Sequence, residues 1–162
     1  MRIAIVSDTH LPRGERRLPP GCVEHLRAAS LIVHAGDFTS RSVLRELELY
    51  GETAAVHGNV DEPELRRELP SRRQLDVDGT RIGIVHDAGR AHARLERLRG
   101  LFPGASAVVF GHSHIPLLER ADDGFQIFNP GSPTDRRRAP HYTMGLAEVS
   151  AGGVEFELIV LG

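Results

Sequence analysis

Short apolar runs recur along this chain, and their spacing alternates between the two regular periods. Runs rich in β-branched residues predict strands at 2–6, 31–34, 53–57, 74–78, 81–86, 107–110, 125–128, 142–149 and 154–160. Between them, wider spacing predicts helices over 20–29, 40–50 and 90–99; in the second, Val43, Leu44, Leu47 and Leu49 mark an apolar face and Ser40 is the expected N-cap. Asp78-Gly79 and Gly152-Gly153 each separate two such runs and read as hairpin turns. The stretch 11–20, with Pro12, Gly14, Pro19 and Pro20, reads as a surface loop. The charged stretch 61–73, bounded by Pro63 and Pro70, reads as a short helix or loop on the outside. Strand and helix alternate early, and strands dominate the last third. That order predicts a mixed α/β layered fold and not a simple doubly wound sheet. The 162 residues suit a single domain, 1–162.

The polar residues at the ends of these runs carry the chemistry. Ile3–Val6 leads into Asp8-Thr9-His10, Leu31–Val33 into Gly36-Asp37, and Ala54–Val56 into Gly58-Asn59. Ile82–Val85 leads into His86, and Val108–Phe110 into Gly111-His112-Ser113-His114. Strand ends that converge on one rim are where open α/β sheets place their sites. In D-x-H and H-x-H, side chains two apart on an extended segment point the same way and can hold one ion together. Each dipeptide alone is ordinary. Their occurrence in order, each after an apolar run, makes Asp8, His10, Asp37, Asn59, His86, His112 and His114 read as one metal site.

Those motifs, with Gly58-Asn59-Val60-Asp61 and Asn129-Pro130-Gly131-Ser132, resemble the calcineurin-like metallophosphoesterase superfamily, and within it the small YfcE-type phosphodiesterases. The resemblance runs from residue 3 to about residue 138. It implies a four-layer α/β/β/α sandwich of two mixed sheets flanked by helices. It also implies two divalent ions: one held by Asp8, His10 and His114, the other by Asn59, His86 and His112, with Asp37 bridging. Two cations roughly 3.5–4 Å apart need such a shared anion. Two carboxylates against two divalent ions leave about +2, which favours anionic phosphate esters. The imidazole share argues against calcium. The resemblance points first to manganese, with iron, nickel, zinc, cobalt or magnesium as alternatives. The implied activity is hydrolysis of small phosphate diesters by a hydroxide bridging the ions, with Asp37, Asn59 and His10 counted as catalytic. The alternatives are a phosphomonoesterase of the same superfamily and a non-catalytic interaction module on the same fold. Many relatives carry histidine where this chain has Val60, a position from which it can protonate the leaving group. Without that histidine, esters with good leaving groups are favoured, and Asp61 reads as a structural or ligand-orienting group.

Charge and composition narrow the partners. All twenty basic residues are arginine, so no lysine nucleophile exists, and the net charge of −2 gives no global attraction to nucleic acid or anionic membranes. The strongest basic run is Arg136-Arg137-Arg138; it follows the Asn129–Ser132 segment. Arg137 is therefore expected to contact a substrate phosphate, with Asn129 and Ser132 lining or bracing the site. His34 and His57 read either as groups orienting a ligand or as strand residues with satisfied hydrogen bonds. The single cysteine, Cys22, reads as helix packing and implies a reducing compartment. The opening apolar run is too short for a signal core or membrane span. The expectation is a cytoplasmic protein acting on a small phosphate ester, with homo-oligomerisation through apolar strand edges such as 154–161 left open.

Overall fold

The computed structural model describes residues 1–162. Ten strands and four helices follow in the order β1 (Arg2–Val6), α1 (Pro20–Ala28), β2 (Leu31–His34), α2 (Arg41–Tyr50), β3 (Thr53–Ala55), α3 (Pro63–Glu68), β4 (Arg72–Val77), β5 (Thr80–Val85), α4 (Arg94–Leu101), β6 (Ala107–Val109), β7 (Leu117–Arg120), β8 (Gln126–Asn129), β9 (Tyr142–Ser150) and β10 (Gly153–Leu161). They build two five-stranded sheets, ordered β10-β9-β1-β2-β3 and β4-β5-β6-β8-β7. Both are mixed: β1, β2 and β3 run parallel, as do β5, β6 and β8, while the remaining pairings are antiparallel.

The period-two alternation within strands sorts the layers. From β1, Ile3 and Ile5 enter a cluster shared with Ile82, Ile84, Val109 and Phe128 of the other sheet, so this cluster is the filling between sheets. Ala4 and Val6 face the opposite way and pack with Leu26 of α1 and with Val43, Leu44 and Leu47 of α2. On the outer face of the second sheet, Val108 and Ile127 pack with Leu98 of α4 and Phe102. The layers are helix, sheet, sheet, helix, as the family resemblance implies.

Several sequence expectations are met in detail. Ser40 caps α2, its hydroxyl accepting from the Ser42 N–H at 3.2 Å. Asp78 and Gly79 turn β4 into β5 with φ of 51° and 79°, both left-handed as a primed two-residue hairpin turn requires. Three expectations shift. β7 lies outside the predicted strands, because Leu117–Arg120 is a mostly exposed edge strand with no buried alternation. β4 begins two residues early, with Arg72 and Arg73, on the other exposed edge of that sheet. The last helix begins at Arg94 and not at 90, because residues 88–92 are held as a loop: Arg97 donates to the carbonyls of Ala88, Arg90 and His92. No helix is long and apolar enough to cross a membrane.

Candidate metal centre

The C-terminal ends of the two parallel strand sets meet at one rim, and all seven residues gather there. Asp8 and His10 follow β1, Asp37 follows β2, and Asn59 follows β3. His86 follows β5, and His112 and His114 follow β6. They form two groups. In the first, Asp8 Oδ1 lies 3.4 Å from His114 Nε2 and 3.9 Å from His10 Nε2, and those two nitrogens lie 3.2 Å apart. In the second, His86 Nε2 lies 3.2 Å from Asp37 Oδ2 and 3.0 Å from Asn59 Oδ1. His112 Nδ1 lies 3.1 Å from that same Asn59 oxygen and 3.3 Å from His86 Nε2. Asp37 joins the groups, since Oδ2 is also 3.7 Å from His10 Nε2. The first group is buried, whereas the second opens to solvent through Asn59 and His112.

The donor set fits divalent cations. His86 directs Nδ1 at the Ala35 carbonyl, 2.8 Å away, and His114 directs Nδ1 at the Asp135 carbonyl. With the proton assigned to each Nδ1, both Nε2 atoms present lone pairs to the site. Asp8 Oδ2 accepts from the Ser7 hydroxyl at 2.7 Å and the His112 N–H at 3.0 Å, yet its Oδ1 is buried without a hydrogen-bond partner. An orphaned carboxylate oxygen facing two imidazole nitrogens is costly unless a cation joins them.

Electrostatics separates the two carboxylates. Burial pushes Asp8 up to about 6, against the pull of His86 and the Ser7 hydrogen bond. Burial also acts to raise Asp37, but the hydrogen bond and charge of His86 and the Val60 N–H, at 3.0 Å, outweigh it and hold Asp37 at about 2. His86 is raised: burial opposes its charge, and the Asp37 hydrogen bond and the Asp8 and Asp37 charges prevail, so without an ion its Nε2 carries a proton that metal binding would displace. Burial lowers His10 and His114, which favours the neutral, ligating imidazole.

The local backbone is not the extended one expected for D-x-H and H-x-H. Asp8, His10, Asp37, His112 and His114 all take left-handed φ, between 46° and 68°. A non-glycine residue there is strained, and such strain persists where the surroundings over-determine it. The pairs converge through tight turns and not through strand alternation. Two glycines permit the packing. A Cβ on Gly58 would lie 2.0 Å from Asp37 Oδ1, and one on Gly111 would lie 2.0 Å from Ser7 Oγ and 2.7 Å from Asp8 Oδ2.

Residues around the seven act mostly as braces. Asp61, buried, accepts from the N–H groups of Gly58 (2.6 Å), Thr39 (2.8 Å) and Asp37 (3.1 Å), so it clamps the Asp37 turn to the Asn59 turn. Asn129 and Ser132 do not line the site. Both are fully buried; Asn129 Nδ2 donates to the Gly111 carbonyl and Ser132 Oγ to the Asp8 carbonyl. They hold the ligand turns from beneath, because their polar atoms are already engaged with backbone. Arg137 is exposed at the rim, and its charge opposes protonation of His114. Val60 is 44% exposed and presents no polar side chain. His57 is half-buried with Nδ1 on the Gly58 carbonyl, 3.1 Å away. His34 is wholly buried between the Thr9 hydroxyl and the Gly36 N–H, each at 3.1 Å. Cys22 is buried, and burial pushes its thiol up to about 12, consistent with packing alone. Sequence reasoning missed Ser7, Thr9 and Thr134, whose hydroxyls or carbonyls join these turns. Ser7 and Thr9 flank Asp8 in sequence, which is the one signal that pointed to them. A broad surface cleft lies at the far end of the sandwich, beside Met1, Ser150 and Gly153, and none of the seven lines it.

Comparison with known proteins gives concordant results. The family model described as calcineurin-like phosphoesterase superfamily domain matches residues 1–152. A probable metallophosphoesterase of Methanothermobacter thermautotrophicus is 35% identical over 136 residues, 83% of this chain and 78% of that protein. A phosphodiesterase of Methanocaldococcus jannaschii is 27% identical, covering 81% of this chain and 83% of its own. The solution structure of a Thermotoga maritima protein superposes with a TM-score of 0.77 at 30% identity over 99% of both chains.

Proposed function

This chain belongs to the calcineurin-like phosphoesterase superfamily, and we propose that it is a dinuclear-metal phosphodiesterase acting on small phosphate diesters. The observation that carries the proposal is the pair of ligand groups sharing Asp37, together with the buried Asp8 Oδ1 that no protein donor satisfies. In this reading Asp8, His10 and His114 hold one ion, Asn59, His86 and His112 hold the second, and Asp37 bridges. The similarity to a phosphodiesterase supports the diester preference. The four imidazoles argue against calcium and for a transition metal, and manganese is the ion we assign on the family resemblance.

When bound, two such ions supply an activated water and neutralise charge building on the phosphoryl oxygens. The protein's own part is to fix the ligands. Ala35 and Asp135 set the tautomers of His86 and His114 through their carbonyls. Asp61 holds the turns of Asp37 and Asn59 in register. No side chain at position 60 donates a proton, so departure of the one leaving alcohol relies on its own acidity. Aryl esters are the preferred substrates on that account.

Chelation should abolish hydrolysis of bis(p-nitrophenyl) phosphate, and manganese should restore it. Asp37→Ala should lower kcat/KM by about a thousandfold or more, since it removes the shared anion of both sites. Full activity in that variant sinks the reading. A higher kcat/KM on p-nitrophenyl phosphate than on the diester would move the assignment to a phosphomonoesterase.

A further inference from the structure

Charge around the rim is uneven, and the unevenness follows the two ligand groups. Beside Asp8, His10 and His114, the loop 11–18 brings Arg13, Arg16 and Arg17, and the segment 133–139 brings Arg136, Arg137 and Arg138. The acids in these stretches are Glu15 and Asp135 alone. Both stretches are fastened to the site. Thr134 Oγ1 donates to the Thr9 carbonyl at 2.6 Å, the Asp135 carbonyl accepts from His114, and Arg16 Nη1 lies 3.4 Å from Asp135 Oδ2. Of the six arginines only Arg16 has an acidic partner, and Arg17 turns its Nη1 onto the Arg16 carbonyl at 2.9 Å; Arg13, Arg137 and Arg138 are exposed and make no side-chain hydrogen bond or ion pair. Arg137 holds a left-handed backbone, φ 47°, within electrostatic reach of His114. Beside Asn59 and His86 the neighbours are different. Val60 offers an exposed apolar surface, Asp87 and Arg90 carry opposite charges, and Arg66 is turned onto the carbonyls of Asn59 and Asp61.

A simple phosphate diester carries one negative charge, on the oxygens of the reacting phosphorus, where two divalent ions would meet it. Three unpaired guanidiniums alongside, those of Arg13, Arg137 and Arg138, then have no counterpart on such a molecule. Guanidinium matches phosphate through paired, charge-assisted hydrogen bonds. Resting on the phosphodiesterase reading, we propose that the natural substrate is lopsided: one ester arm carries a second phosphate seated over the arginines of 13–17 and 136–138, and the other arm is uncharged and lies by Val60.

The test pair is thymidine 5′-(p-nitrophenyl phosphate) and its 3′-phosphorylated analogue. They share the reacting phosphorus and the leaving group and differ by one remote phosphate. With manganese-loaded protein, kcat/KM should be at least about tenfold higher for the 3′-phosphorylated ester, acting through KM. The advantage should shrink as salt is raised. It should fall toward unity in Arg13→Gln/Arg137→Gln/Arg138→Gln and persist in Arg67→Gln. Equal kcat/KM in the unmodified protein, or an advantage that survives the triple variant, overturns the proposal. If neither ester is cleaved, the phosphodiesterase reading has failed separately. Calorimetric titration of the same two esters then tests the second-phosphate site by itself. Tighter binding of the 3′-phosphorylated ester, lost in the triple variant, upholds it, and equal affinities overturn it.

Discussion

At the scale of single residues, the seven candidate ligands sit on turns that other side chains tie together. Aspartate and histidine placed directly after apolar runs stand out because strand ends gather at one rim. The residues that hold them do so by contacts between positions far apart in sequence, as Ser132 does with the carbonyl of Asp8. A serine in a Pro-Gly turn looks the same whether or not it makes such a contact. His34 is the clearest case. Its Nδ1 accepts from the Gly36 N–H and its Nε2–H donates to the Thr9 hydroxyl, so one neutral tautomer ties the turn of Asp8 and His10 to the turn of Asp37. It is wholly buried and stacked on Phe38, with ring centroids 3.5 Å apart. Burial drives its pKa well below 6.5, so the folded protein keeps it neutral where the unfolded chain would protonate it. The sign follows. Stability contributed by the neutral ring is complete above the unfolded value of 6.5 and declines as pH falls beneath it. Urea melts of metal-free protein at pH 7.5 and 5.0 should show a smaller loss for His34→Gln, which cannot titrate, than for the unmodified chain. The same variant keeps a donor near Nε2 but loses the acceptor for Gly36, and manganese affinity should drop about tenfold. An unchanged acid slope would remove His34 from this account.

At the scale of elements, legibility tracks burial. Strands with buried runs, such as β1 and β2, match their predicted limits to within a residue or two, because burial on both faces leaves an uninterrupted apolar stretch. β7 escapes because its pairing with β8 is made by backbone at an exposed edge, which side-chain pattern does not report. The turn geometry at the strand ends escapes for a related reason. Left-handed aspartates and histidines carry no sequence mark, while the glycines that let them approach do. Gly111 is the sharpest of these. In Gly111→Ala the new methyl would meet Ser7 Oγ at 2.0 Å and Asp8 Oδ2 at 2.7 Å, so the end of β1 and the turn after β6 must separate. Overpacking of this kind costs about 1–3 kcal/mol. Equilibrium unfolding should register that loss, and the Asp8 group should bind its ion more weakly than the Asn59 group. Ser7→Ala in the same chain removes the nearer atom and should recover part of both. A Gly111→Ala protein with unaltered stability and metal stoichiometry would contradict the packing described.

At the scale of the whole molecule, the proposed metal site would double as a cross-link. Asp8, His10, Asp37 and Asn59 stand on one sheet, and His86, His112 and His114 on the other, so each ligand group draws on both. The filling between the sheets joins the same two layers over their length through Ile3, Ile5, Ile84, Val109 and Phe128. Metal bound at the rim therefore adds its free energy to the same opening that exposes this core. Sheets that share one core and one clasp should melt together, in a single transition. An ion held at about one hundred times its dissociation constant stabilises the folded form by about 2.7 kcal/mol per site. For a chain of this size each kcal/mol corresponds to about 2–4 °C in Tm, so saturating manganese should raise Tm by roughly 5–20 °C for one or two filled sites. Calorimetry with manganese, then with excess chelator, measures this directly. His112→Ala should retain the part of the rise due to the Asp8 group, because it removes a ligand only from the solvent-exposed half. A Tm indifferent to divalent ions up to millimolar levels would mean that the ligands do not clasp the sheets. Two separate transitions would mean that the sheets unfold independently of the rim that joins them.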